Sequence, residues 1–231
     1  MINMKKLILA MFFSLLLSFI LFSGCIQETS EIEEPNNIEK FKMIYVDDDG
    51  GADFTKIQDA IDNVGNGSTI FVNNGTYYEM LIIDKSLNLI GESENKTIID
   101  YQIGSPQSET AIIVNANDCK IKGFKIICDN YTSNKIVINI KSSNNIVSNN
   151  IISNEGILYS HKAVYIDIYT MNNTISENTI INVRNGIESF NSDYNNILNN
   201  NLSSNEAYGI YLLDSNNNII TGNIISHYYD L

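Results

Sequence analysis

Beyond residue 144 the chain sets polar and aliphatic positions on a schedule that repeats. NIVSNNII from Asn145 recurs as NTISENTI from Asn173, as NILNNNLS from Asn196 and as NIITGNII from Asn218, at successive spacings of 28, 23 and 22 residues. Aligned in this way, Val147, Ile175, Leu198 and Ile220 share one column, and Asn150, Asn178, Asn201 and Asn223 a second. Ile152, Ile180, Ser203 and Ile225 form a third. Two columns read as core and one as a ladder of asparagines. A period near 22 residues holds three short strands and three turns. That is too short for a four-stranded propeller blade, and the copies lack the helical periodicity that a leucine-rich or ankyrin-type repeat needs.

A parallel β-coil explains the asparagines. Adjacent rungs of such a stack lie about 4.8 Å apart, so identical amides can hydrogen-bond from rung to rung. Asn also tolerates the left-handed backbone of a sharp turn between strands. The column therefore builds scaffold rather than chemistry. A second strand follows in each coil at Ala163–Asp167 (AVYID), Gly186–Phe190 (GIESF) and Gly209–Leu213 (GIYLL), with Val164, Ile187 and Ile210 expected to stack inside. SLNLIGE from Ser86, TIID from Thr97, AIIV from Ala111, KIKGFKI from Lys120 and IVINI from Ile136 fit the same scheme less regularly. The fold class predicted is all-β, a right-handed parallel β-helix over residues 41–231.

The front of that domain differs. In IYVDDDGGADFTKIQDAIDNV, Thr55 and Gln58 are placed as a capping box, and Phe54, Ile57, Ile61 and Val64 share one helical face. A short helix there would cap the first coil. No such cap is evident after the last repeat, so a partner or further coils would have to cover that end, and open strand edges invite end-to-end self-association. Cys119 and Cys128 have no framework spacing and read as buried thiols ahead of a disulfide.

The N-terminal pattern is of another kind. Lys5 and Lys6 precede an apolar run from Leu7 to Phe22 that ends in Ser23, Gly24 and Cys25, as an export signal over residues 1–24 would. LFSGC resembles a lipoprotein signal, which would make Cys25 the lipidated residue; an uncleaved anchor is the alternative. Residues 25–40 are acidic and aperiodic, suited to a tether. The domain is thus expected outside the cytoplasm, held to the membrane through its N-terminus alone. Composition adds that the chain has 27 acidic against 14 basic residues and a net charge of −13. Nucleic acid is excluded as a partner, since phosphate binding needs a basic patch.

Two stretches carry a resemblance. YVDDDGGADFTKIQDAIDNVGNGSTIFVNNGTYYEMLIIDKSLNLIGE resembles the N-terminal cap and first coil of the pectin-lyase-like β-helix proteins, and the coils from Asn145 resemble those of the NosD-related surface proteins of archaea and bacteria. The resemblance covers most of residues 43–231. It implies the fold directly, whereas the superfamily spans lyases, esterases, hydrolases, epimerases and proteins without chemistry.

An enzyme of this resemblance would need a base and a group to neutralise a uronate. Counting outward positions along the second strands places His161 over Arg184, the only arginine, and Tyr165 in register with Glu188 and Tyr211, with Asp167 two residues on. His161, Arg184 and Tyr165 are the catalytic candidates. Tyr165, Asp167, Glu188 and Tyr211 are the candidates for a surface that binds carbohydrate or a cell-envelope component. The paired Asp-Asp with a following His-Gly of polygalacturonases and the second Arg of pectate lyases are missing, so a binding protein is favoured over an enzyme. No cofactor is expected; Asp47, Asp48 and Asp49 beside Gly50 are a weak Ca²⁺ set, because their spacing lacks the alternation of a calcium loop. Copper handling, implied by the NosD likeness, would want clustered soft ligands. Met43, Met80, Met171, His161, His227 and the two cysteines are instead scattered.

Overall fold

The computed structural model describes residues 43–101, 110–128, 135–155 and 161–227. The expected signal and tether, with Cys25, lie outside those residues. The described residues form a right-handed parallel β-helix of three sheets. Sheet A has eight strands, running from Met43–Val46 and Ser68–Val72 to Asn196–Leu198 and Ile219–Thr221. Sheet B has seven, from Gly75–Tyr77 to Asn201–Asn205 and Ile224–His227. Sheet C has six: Leu81–Ile83, Thr110–Val114, Ile136–Ile140, Lys162–Ile166, Asn185–Phe190 and Tyr208–Leu213. Every ladder pairs a strand with its equivalent one coil later, as parallel pairing without hairpins requires.

Inward columns from the three sheets form the core. In sheet A it runs Ile44, Ile70, Leu89, Ile121, Val147, Ile175, Ile197, Ile220. In sheet C it runs Leu81, Ile112, Ile138, Val164, Ile187, Ile210, which includes the three residues expected to stack. β-branched side chains fill these columns because a pleated, close-stacked wall suits a stiff χ1.

The third repeat corrects the alignment by one residue. Ile175 pairs with Ile197, not Leu198, and Ile180 with Leu202, not Ser203. The ladder asparagine is Asn200, which is buried, whereas Asn201 is exposed. A strand has period two, so a slip of one residue would turn Ile197 and Leu202 to solvent.

There are two asparagine ladders rather than one. Asn145, Asn173, Asn195 and Asn218 form the first, and Asn150, Asn178, Asn200 and Asn223 the second. At each step the backbone N–H of one asparagine donates to the side-chain oxygen of the next, as from Asn178 to Asn200 at 3.0 Å. The residue before each ladder position has positive φ: Asn144, Asn172, Tyr194 and Asn217 before the first, and Asn149, Glu177, Asn199 and Gly222 before the second. The chain turns a corner in left-handed conformation, and the next amide ties that corner to the following rung.

The helix, α1, spans Ile57–Asn63 and buries Ile57, Ala60 and Ile61. It packs against strands Met43–Val46, Ser68–Val72 and Leu81–Ile83. Its cap differs from the expected box: Thr55 makes no capping bond, and Gln58 Nε2 donates to Asp62 and to the Ile82 carbonyl. The free N–H groups of Ile57 and Gln58 instead donate to the two oxygens of Glu79, at 2.8 and 2.9 Å. A carboxylate brought from another coil satisfies two orphan donors and opposes the helix dipole.

No disulfide joins Cys119 to Cys128, and both are buried. The Cys119 thiol lies on the carbonyls of Lys85 and Ala116, that of Cys128 on Ser153. Burial pushes the Cys119 thiol pKa up.

Candidate functional site

Sheet C brings most of the expected surface residues together. Tyr165, Glu188 and Tyr211 are direct neighbours across three successive strands, as the spacing predicted. Phe190, two residues beyond Glu188, sits between the tyrosines with ring centroids 5.8 Å from Tyr165 and 5.7 Å from Tyr211. Tyr208 stacks on Tyr211 at 4.9 Å. Tyr165, Phe190 and Tyr211 thus make a continuous strip along the solenoid axis, which Tyr208 widens along the last strand. Beside it a shallow depression is lined by Lys162, Arg184, Asn185, Glu188, Tyr208 and Tyr211, among others.

Glu188 points outward in the pleat yet is 2 % exposed. Lys162 from the preceding rung covers it, with Nζ 2.7 Å from Oε2, and the same ammonium lies 5.0 Å from the Tyr165 ring centroid. Asn185 donates to Oε1. The Lys162 contact is ionic rather than a directed hydrogen bond, and Oε2 and Asn185 Oδ1 are buried acceptors with no hydrogen-bond donor. Burial, then the Asp167 and Glu188 carboxylates, push the Tyr165 hydroxyl pKa up.

Other expectations divide. His161 does lie in register with Arg184, whose N–H donates to the His161 carbonyl at 3.0 Å. The side chains part, however: His161 is 0 % exposed and Arg184 is exposed. The outward count fails there because the strand begins at Lys162, after His161. Asp167 is turned to its own corner and accepts from the Ile168 N–H at 2.8 Å. The count missed Lys162, Asn185, Phe190 and Tyr208. Phe190 falls on the same alternation as Glu188 and could have been read from GIESF, whereas Lys162 reaches Glu188 only because the rungs stack.

Asp47, Asp48 and Asp49 do converge, with ligand atoms within 4.8 Å of one another. Their oxygens also close the entry loop, Asp47 accepting from Asn73 and from the Asp49 N–H, and Asp48 from the Thr76 N–H. Among the described residues this is the one group of three His, Cys, Asp or Glu side chains so gathered. Hard oxygens do not suit copper. Of the softer ligands, His161, Cys119 and Cys128 are buried apart and Met43 and Met171 are exposed. The described residues do not fit a copper site.

Solved structures similar to the chain are pectin methylesterases. That from carrot is 10 % identical over 73 % of this chain and 63 % of its own, with a TM-score of 0.43. PemA from Erwinia chrysanthemi is 19 % identical over 69 % and 54 %, with a TM-score of 0.41. The Aspergillus niger enzyme is 16 % identical over 78 % and 86 %, with a TM-score of 0.45. The chain spans less than two thirds of the carrot and Erwinia proteins. No curated protein sequence matches it. The family described as "Periplasmic copper-binding protein (NosD)" matches residues 61–230, and to that family this chain belongs.

Proposed function

We propose that this protein is an extracytoplasmic β-helix, held to the cell membrane through its N-terminus, that binds carbohydrate along the aromatic strip of sheet C. The observation that carries this reading is the run of Tyr165, Phe190 and Tyr211 across three successive rungs, extended along the last strand by Tyr208, beside Arg184. Aromatic rings offer flat apolar faces to the C–H faces of sugars at low entropic cost. Asn185 Oδ1 is an acceptor without a hydrogen-bond donor, and Arg184 has no carboxylate partner among the described residues. This donor and acceptor set suits a hydroxylated ring, with a carboxylate on it favoured at Arg184.

The periplasmic family supports an extracytoplasmic place, as does the N-terminal apolar run. Among the described residues no helix is long and apolar enough to cross a membrane. A catalytic reading of the same surface would draw on Arg184 and Tyr165, but with His161 buried and the Tyr165 pKa raised it lacks a base poised near neutral pH.

Titration of the full chain with neutral and uronate-containing oligosaccharides, by calorimetry and without product release, tests the proposal. Tyr211→Ala and Phe190→Ala should each weaken binding about tenfold. Absence of binding to every oligosaccharide, or binding unchanged in both variants, would reject it.

A further inference from the structure

Asparagine has two fates in this chain. Ten asparagines are buried, ladder residues among them, and none of the ten is followed two positions on by Ser or Thr. Asn-x-Ser/Thr occurs instead at Asn66, Asn74, Asn95, Asn130, Asn172 and Asn201, and the five of these within the described residues are all exposed. That pattern is the acceptor for an N-linked glycan on the surface of an exported chain. The five are not equivalent. At Asn66 and Asn95 the hydroxyl residue of the pattern, Ser68 or Thr97, is at most 1 % exposed, and the Asn74 amide oxygen accepts from the Thr97 hydroxyl. Asn201 opens the strand Asn201–Asn205, its N–H donating to the Asn178 carbonyl. Asn172 is under none of these restraints: it stands at an exposed corner with φ of 59°, no described residue holds its side-chain amide, and Thr174 is partly exposed.

The neighbours of Asn172 point the same way. Met171 bridges to Asp193, and the Asn173 N–H donates to Asn195, so Asn172 and Tyr194 stand in register on successive rungs. Tyr194 is 54 % exposed, and Tyr169, in the same corner as Asn172, is 80 % exposed. Open aromatic faces beside an attachment point are surfaces that the first sugars can cover. We propose that Asn172 is a site of N-linked glycosylation. The donor is an oligosaccharide carried as a lipid phosphate or pyrophosphate ester. Asn172 Nδ2 bonds to the anomeric carbon, the bond from that carbon to the phosphate oxygen breaks, the lipid phosphate leaves with the electron pair, and one Nδ2 proton passes to a base. The transfer takes place on the outer side of the membrane, so this inference rests on the extracytoplasmic place proposed above; it is independent of the ligand on sheet C.

Tandem mass spectrometry of the full chain, purified from the cells that make it, tests the assignment. The wild-type peptide bearing Asn172 should carry a sugar mass increment on that residue. Thr174→Ser should keep the increment, whereas Thr174→Val and Asn172→Gln should each lose it with unchanged circular dichroism; should either variant fail to fold, the wild-type peptide decides. Protease treatment of intact cells locates the domain in parallel. A bare Asn172 on a domain outside the cytoplasm would overturn this inference alone, and a bare Asn172 on a domain inside it would overturn the location as well. An increment that survives Thr174→Val would show a modification of another kind and would also overturn it.

Discussion

Lys162 and Glu188, one rung apart on sheet C, form an ion pair at 2.7 Å in which the carboxylate is almost wholly buried and the lysine only partly so. Removing the lysine strands a charge; removing both does not. Lys162→Met should therefore destabilise the fold by about 2 kcal/mol, at the low end for a broken buried pair because the lysine is partly solvated. Adding Glu188→Gln should restore most of that loss. Urea unfolding of the two variants checks it, and equal losses in both would show that the pair is not what holds Glu188.

Asn200 and Asn201 are neighbours with opposite fates. Asn200 Oδ1 accepts from Asn178 N and Nδ2, and its Nδ2 donates to Ile175 and Asn223. Asn200→Ala should cost about 3 kcal/mol, since several buried groups lose partners at once. Asn201→Ala should stay within about 0.5 kcal/mol. The reverse order in thermal unfolding would reinstate the register read from the repeat alone.

Glu79→Ala should cost about 1 kcal/mol by uncapping α1, whereas Thr55→Ala should be close to neutral. A chemical-denaturation series with both variants decides between the remote cap and the local box.

Burial, chiefly, and then the neighbouring carboxylates push the Tyr77 pKa up from 10.0 to about 12. Its hydroxyl donates to the Asn73 carbonyl at 3.0 Å, with the Val46 carbonyl 3.3 Å away. The folded state thus holds the phenol proton more tightly than the unfolded chain does. The stabilisation is fully present below pH 10.0 and is lost as pH rises toward about 12. Phenolate absorbance in wild type against Tyr77→Phe should place one late-titrating tyrosine, absent in the variant, together with a shallower fall of stability over that range.

The repeat in the sequence determined that the chain coils, how long each coil is, and which columns are aliphatic, because a stack of equivalent rungs imposes the same burial at each level. Val164, Ile187 and Ile210 lie where their alternation placed them. The register of the third copy was decided only in three dimensions: Asn195 and Asn196, like Asn199, Asn200 and Asn201, are interchangeable in composition, and the choice falls to whichever aliphatic turns inward. The site divides on the same line. Pleat alternation aligned Tyr165, Glu188 and Tyr211, but contacts between rungs, 23 residues apart from Tyr165 to Glu188 in the chain, decided that Glu188 would be buried under Lys162. His161 lies before its strand begins, so alternation has no hold on it, and the packing around it turned its ring inside. Local period settles which way a strand residue faces; what covers it belongs to the neighbouring coil.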